Sequence, residues 1–196
     1  MICFTGEQVR LWKPDFCRDN FARWIVSGEI LRLKRNLYTF PDYLQVPDSA
    51  LYFANRIYSP SYISLHTALH FHGVIPEEVV QFTSVSTLKT AFFQNAFGSY
   101  TYHHISPNYM FGFELKKAER NETFVIQIAT PEKAIIDLLH IYPEYKTTED
   151  MLNLRLDEYF MESELNQEKM LDYAKRIHSP TLLKRVNLLR EAYGLL

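Results

Sequence analysis

Seven side chains near the start of the chain have the types and spacing to hold a nucleic acid: Arg18, Asn20, Arg23 and Ser27, then Arg32, Lys34 and Arg35. Guanidinium and ammonium groups pair with phosphates, and Arg or Asn can also reach base edges in a major groove. Residues 1–40 carry seven Lys/Arg against four Asp/Glu, a net +3, whereas residues 41–196 carry fourteen against nineteen, a net −5. The whole-chain charge of −2 hides this split. Such asymmetry points to a nucleic-acid-binding end. Other groups invite catalytic readings. His66 and His70 stand at i, i+4, with His72 and His103-His104 elsewhere, but no Glu or Cys completes a recognisable zinc set. Glu114-x-Lys116 has the spacing of half a nuclease site, a pattern common by chance, and Asp137 is the third residue a nuclease-like enzyme would use. Lys133 lies one helical turn before Asp137, so a surface ion pair off the buried face accounts for it. The chain has six glycines and no phosphate-cradling loop, and neither Cys3 nor Cys17 has an activating partner. No catalytic residue, metal or cofactor is expected.

The elements that must position the basic residues can be read locally. Thr5-Gly6-Glu7-Gln8 has capping-box spacing and opens a helix to about Trp12, ended by Pro14. A second helix covers about Arg18–Ser27 and stops at Gly28. Cys17, Phe21, Trp24 and Ile25 form its apolar stripe; Asp19 and Arg23 face the other way, with Arg18, Asn20 and Ser27 towards the flanks. Ile30–Lys34 alternates, Leu31 and Leu33 against Arg32 and Lys34, and Arg35-Asn36 suits a hairpin turn before Leu37–Phe40. A short helix, a turn, a basic helix and a basic hairpin outline a winged helix-turn-helix. Only one helix precedes the proposed recognition helix, and residues 48–58 are a candidate to supply a third from downstream.

Residues 42 to about 145 read as mixed sheet and helix. Pro47 opens a helix to Tyr58, and Ser59-Pro60-Ser61 breaks it. Ser64 caps a helix over 65–72. Strands follow at 81–86, 99–105, 111–115 and 122–129, the last two separated by a charged turn at 116–121. Thr130-Pro131-Glu132 starts a helix to Ile141 that buries Ile135, Leu138 and Leu139. Residues 146–196 read as helical, with helices at 148–160, 167–177 and 181–193.

Composition supports a packed core: 47% of residues are hydrophobic and 15% aromatic. No apolar run approaches the roughly 18 residues of a membrane span, and the start lacks a signal-peptide pattern. Two cysteines make no disulfide framework, so a reducing cytoplasm and no membrane partner are expected. The fold class read from these patterns is α+β: a winged helix at 1–41, then a mixed α/β domain at 42–196 with a helical end.

Two interior segments carry a resemblance. Tyr62-Ile63-Ser64-Leu65 through Ala68-Leu69 to Gly73-Val74-Ile75-Pro76, and Thr130-Pro131-Glu132-Lys133-Ala134-Ile135-Ile136-Asp137-Leu138, resemble the signatures of the AbiEi family. Gly28-Glu29-Ile30 and Leu33-Lys34-Arg35-Asn36-Leu37-Tyr38 resemble its winged module, with Asn36 where the family usually has Gly. The closing Leu171–Lys175, Arg176 and Lys184-Arg185 pattern is also similar. The resemblance implies an antitoxin and transcriptional autorepressor of a type IV toxin–antitoxin, or abortive-infection, operon. Such a protein binds inverted repeats in its own promoter and counteracts a nucleotidyltransferase-like toxin, with or without direct contact. A stand-alone DNA-binding regulator without a toxin is the first alternative, and the nuclease-like enzyme the second.

Overall fold

Thr5 caps the first helix as its spacing dictates: Oγ1 accepts from the Gln8 amide at 3.3 Å, and Gln8 Oε1 accepts from the Thr5 amide at 2.8 Å. The computed structural model describes residues 2–77, 80–118 and 120–195. Strand β1 (Cys3–Phe4) leads into α1 (Gly6–Trp12), α2 (Asp19–Val26) and the hairpin β2 (Leu31–Lys34) and β3 (Leu37–Thr39). Unread in the sequence, β1 closes a three-stranded sheet of order β1-β3-β2, antiparallel throughout. Asn36 takes the left-handed conformation at the hairpin turn, φ 61°.

After a 3-10 turn at Pro41–Gln45 come α3 (Ser49–Ile57), β4 (Ser61–Ile63), α4 (Leu65–Phe71), β5 (Gln81–Ser86), β6 (Ala91–Asn95) and β7 (Gly98–His104). Then follow β8 (Phe113–Lys117), β9 (Val125–Ala129) and α5 (Pro131–Ile141). The six strands form one mixed sheet of order β6-β7-β5-β4-β9-β8. Register places Tyr62, Val85 and His103 side by side on one face, which α4 and α5 cover. Ser84 and Tyr102 share the other face, and Tyr102 OH donates to Ala54 O of α3 at 2.6 Å. Helix α3 buries Phe53, Ala54 and Ile57 against β4, β5 and β9, and it also touches β2 of the hairpin, so it packs in the large core that Leu33 and Leu37 share. Strands β4 and β6 fall where the sequence shows only a breaker and a loop. Residue 119 of the charged turn at 116–121 lies outside the described residues.

The end of the chain contains α6 (Thr148–Leu152), α7 (Gln167–Arg176) and α8 (Pro180–Ala192). The expected single helix over 148–160 is replaced by α6, an irregular link and a π turn at Phe160–Glu164. Tertiary bonds decide this: the Asp157 amide donates to Val74 O at 2.8 Å, and Asp157 Oδ1 accepts from the Phe160 amide at 2.7 Å. Two cores result. Phe4, Phe21 and Ile30 form a small one, and Leu33 and Leu37 of the hairpin join the large one. Asn95 Nδ2 donates to Leu33 O at 3.1 Å, so the boundary at residue 41 crosses a packed contact.

Two segments far apart in sequence, 62–64 and 133–137, meet at a buried cluster. Lys133 and Asp137 of α5 are 0% and 1% exposed at their side chains and are paired through Nζ and Oδ1. This overturns the expected surface ion pair. Asp137 Oδ2 also accepts from Tyr62 OH at 2.9 Å and from Ser64 Oγ at 2.7 Å. Ser64 therefore stands at the α4 N-cap position without making the capping bond expected of it. Phe111 touches two cations, with its ring centroid 4.9 Å from Lys133 Nζ and 4.0 Å from the Arg176 guanidinium. Gly112 passes directly over Lys133 at φ +72°, where a Cβ would meet Lys133 Cγ and Tyr173 Cε2 at 3.0 Å. A backbone that close leaves room only for glycine.

Breaking the cluster from one side strands a buried charge. Asp137→Ala should cost about 3–5 kcal/mol in urea unfolding. Replacing all four polar groups together (Tyr62→Phe, Ser64→Ala, Lys133→Met, Asp137→Leu) should recover most of that loss. A single substitution costing under about 1 kcal/mol would contradict burial of the pair.

Burial also sets a pH window. It pushes the imidazoles of His66, His72, His103 and His140 down, and the phenols of Tyr62, Tyr100 and Tyr102 up. A folded-state His pKa below its unfolded value makes the unfolded chain bind more protons, so stability falls as pH drops below about 6.5. The raised Tyr pKa values act at the other end, where stability falls as pH rises above about 10. Thermal melts followed by circular dichroism should show a Tm plateau between these limits. A Tm unchanged on going below the lower limit would contradict the burial of these imidazoles.

Candidate nucleic-acid interface

Helix α2 and the β2–β3 hairpin carry all seven residues picked out from the sequence. Phe21, the buried residue of α2, stacks on Tyr38 of β3 at 4.6 Å between ring centroids and fixes the helix across the hairpin. Phe16 and Trp24 pack on Phe21 at 4.9 and 6.0 Å. Cys17 is exposed, so it leaves the expected apolar stripe and Phe16 takes its place. Arg18, at the N-cap position, and Arg23 are exposed. Asn20 is partly exposed, and its Oδ1 accepts a hydrogen bond from Arg23 Nη2 one turn away. That bond holds the guanidinium along the outer face of the helix and leaves its other donors open. Ser27 is exposed, but its hydroxyl donates to Glu29 Oε1 at 2.8 Å. A carboxylate there disfavours a phosphate.

On the hairpin the expected alternation is interrupted. Arg32 pairs with Tyr38 and Lys34 with Leu37, so an extra residue is inserted at Leu33. Arg32 and Arg35 stay exposed. Lys34 is half-buried, and burial pushes its ammonium below the usual lysine range. Arg18, Arg23, Arg32 and Arg35 thus remain as open cations, with Asn20 beside Arg23, while Ser27 and Lys34 are partly committed to the protein.

Asn36 has a second role that its turn signal did not reveal. Its Oδ1 accepts from the Gly6 amide at 3.0 Å, and its Nδ2 donates to Glu7 Oε2. The contact with Asn36, foremost, holds the Glu7 carboxyl below its ordinary range. A Cβ on Gly6 would sit 2.8 Å from Asn36 Oδ1, so Gly6 lets the helix start dock on the hairpin turn. No sequence spacing signals a bond across thirty positions.

The residues weighed for catalysis scatter. Glu114 and Lys116 project from edge strand β8 into a polar cleft of about 770 Å³ with His70, His72, Glu132 and Lys169. His72 Nε2 lies 2.8 Å from Ala129 O and must donate to it, which leaves Nδ1 as an acceptor. Burial pushes Glu132 up, but Lys169, Thr130 and backbone donors outweigh it and hold the carboxyl below its ordinary range. Lys169 Nζ is 3.0 Å from Glu132 Oε2, an ion pair not aligned as a hydrogen bond. Asp137 is sealed in the buried cluster, apart from Glu114 and Lys116. His66 and His103 instead flank Tyr142, at 5.9 and 5.6 Å between ring centroids. Among the described residues, no group of three His, Cys, Asp or Glu side chains is arranged to hold a metal ion. No helix among them is long and apolar enough to cross a membrane.

No family model matches the chain, and no curated protein matches it significantly.

Proposed function

We propose that this chain is an antitoxin and transcriptional autorepressor of the AbiEi type, binding promoter repeats through residues 1–41 and counteracting a nucleotidyltransferase-like toxin. The observation that carries the DNA-binding half is the arrangement of α1, α2 and the hairpin. Two helices are inserted between β1 and β2, β1 returns to pair with β3, and exposed arginines lie on both α2 and the hairpin. In that frame α2 is the winged helix-turn-helix recognition helix and the hairpin is the wing. The buried cluster supports the family reading, because Tyr62 and Ser64 of one signature bond Asp137 of the other.

In this mechanism α2 enters the major groove with Arg23 towards base edges, Asn20 holding it in place. Arg18 reaches the flanking backbone, and Arg32 and Arg35 grip phosphates beside the groove. Lys34 adds less, because its ammonium is partly withdrawn from water. The exposed E-x-K pair in the polar cleft favours a hydrolytic second reading, through Glu114 and Lys116 without Asp137. Metal-dependent cleavage of DNA or RNA by the purified chain, lost in Lys116→Ala, would establish it in place of the first.

Replacing Arg32, Lys34 and Arg35 by Ala should weaken binding to all DNA sequences and flatten its salt dependence. The log–log slope should fall by about 0.9 for each lost phosphate contact, nearer to two contacts than three. Arg23→Ala should cost about 1–3 kcal/mol on the preferred promoter site and less on random DNA. Equal losses on both would make Arg23 a phosphate contact, and an unchanged triple variant would remove the wing assignment.

Toxin neutralisation should reside in the larger domain. The hairpin contributes Leu33 and Leu37 to the large core, so the full chain with Arg23→Ala, Arg32→Ala and Arg35→Ala is the sound test of modularity. Co-expressed with the toxin encoded beside it, this variant should restore growth while its promoter binding is lost. Growth arrest despite normal expression and a cooperative melt would mean that the two activities are not separable.

A further inference from the structure

The large sheet ends on one side at β6, which packs against β2 of the hairpin, and on the other at β8. The register of β8 shows which of its backbone groups point outward. The Thr130 amide donates to Gly112 O at 3.0 Å, and the Ala118 amide donates to Phe124 O at 2.9 Å. Antiparallel neighbours exchange bonds at every second residue. Glu114 and Lys116 therefore turn their amides and carbonyls to Ile128 and Ile126 of β9, and Phe113, Leu115 and Lys117 turn theirs away from the sheet. Among the described residues those outward groups have no hydrogen-bond partner. A row of free amides and carbonyls is a template for another strand. The side chains add two features. Leu115 is 70% exposed, and Val125, diagonal to it on the same face, is 48% exposed. Glu114 and Lys116, on the opposite face, are exposed, and neither has an ion-pair partner among the described residues.

We infer that β8 pairs antiparallel with β8 of a second copy about a two-fold axis at Leu115, which joins the two sheets into one. A two-fold contact requires a self-complementary surface, and the order Glu114-Leu115-Lys116 supplies one. With Leu115 opposite its counterpart, Phe113 of each copy faces Lys117 of the other, and all the outward amides and carbonyls find partners. The same register sets Glu114 of each copy directly opposite Lys116 of the other, where opposite charges stabilise the pairing. Sliding one copy to the next pairing in either direction sets Glu114 against Glu114 or Lys116 against Lys116, and like charges directly opposite destabilise it. Charge therefore selects both a second copy and a single register. Leu115 meets Leu115 across the axis, with the two Val125 side chains flanking them. Lysines on an edge strand ordinarily deter pairing. Here Lys117 is held by Glu122 of its own chain at 3.1 Å, and Lys116 meets a carboxylate. A five-residue strand makes a small interface, so association is weak, between micromolar and about millimolar. The inference does not rest on the DNA-binding reading.

Sedimentation equilibrium of the full chain over that range tests this, with amide hydrogen exchange as a second readout. The expected result is a monomer–dimer equilibrium in which the Phe113, Leu115 and Lys117 amides become protected as the dimer forms. Leu115→Pro should abolish the dimer. The Leu115 amide points away from β9, so a proline there removes no bond of the fold. Lys116→Glu sets like charges opposite each other twice and should weaken association by about tenfold. Lys116→Glu combined with Glu114→Lys should restore it. Both positions are exposed, so these variants should fold, and circular dichroism melts check that they do. A chain that stays monomeric throughout overturns the inference. So does a dimer indifferent to Leu115→Pro, a dimer indifferent to Lys116→Glu, or open-ended association that a single shared edge would not give. Arg23→Ala separates this claim from the DNA-binding one: it should weaken promoter binding and leave the dimer intact.

Discussion

The Lys133–Asp137 pair is the constraint around which the larger domain is arranged. An ammonium and a carboxylate removed from water are tolerable only if every remaining lone pair and proton finds a partner. Asp137 meets that demand with Lys133, Tyr62 and Ser64, drawing α5, β4 and the start of α4 onto one point. Lys133 spreads its charge over Phe111, and the Arg176 guanidinium of α7 lies 4.0 Å from the same ring. The loop carrying Gly112 must then cross directly above, and its carbonyl accepts from the Thr130 amide at 3.0 Å at the start of α5. One ionic contact thus fixes the relation of the central strand, two helices and the loop before β8. Its cost in desolvation suggests specificity of arrangement as its role, because well-packed apolar residues of the same volume stabilise as well.

The N-terminal module is held by a weaker and more exposed device. Asn36 serves both as the left-handed turn residue and as a two-way clamp on the start of α1. Glycine would meet the backbone requirement at this position but would lose the clamp. The Phe21–Tyr38 stack then sets α2 across the hairpin. An aromatic groove borders the small core of Phe4, Phe21 and Ile30.

Charge and burial separate the two polar regions. At the basic end the arginines are exposed and make few contacts, so their charges are available to a polyanion. In the cleft by β8, Lys169 is paired with Glu132, Lys116 lies 5.5 Å from the Phe71 ring, and His72 is tied to Ala129. Most of the groups that would do chemistry there already serve the fold. Burial similarly explains the histidines that draw attention in the sequence. His66, His72, His103 and His140 are half-buried, and desolvation pushes their imidazoles down.

The sequence by itself determined what depends on near neighbours. The capping box at Thr5, the start of α5 at Thr130-Pro131, strand β5 and the turn at Asn36 follow from bonds and periodicities within a few residues. The basic character of the N-terminal end was also legible, because charge needs no partner to be counted. Tertiary structure decided the rest. The i, i+4 spacing of Lys133 and Asp137 is the same for a surface pair and a buried one; only the approach of Tyr62 and Ser64, more than seventy positions away, makes burial possible. The break after α6 depends on Val74 O, the half-burial of Lys34 on an inserted residue in β2, and the cleft on five elements spread along the chain. Strands β4 and β6 are short and gain their bonds only from neighbours in the sheet, so their own residues carry little signal. Local free energy writes the elements, whereas desolvation, which decides what each charged group can do, is a property of the assembled fold.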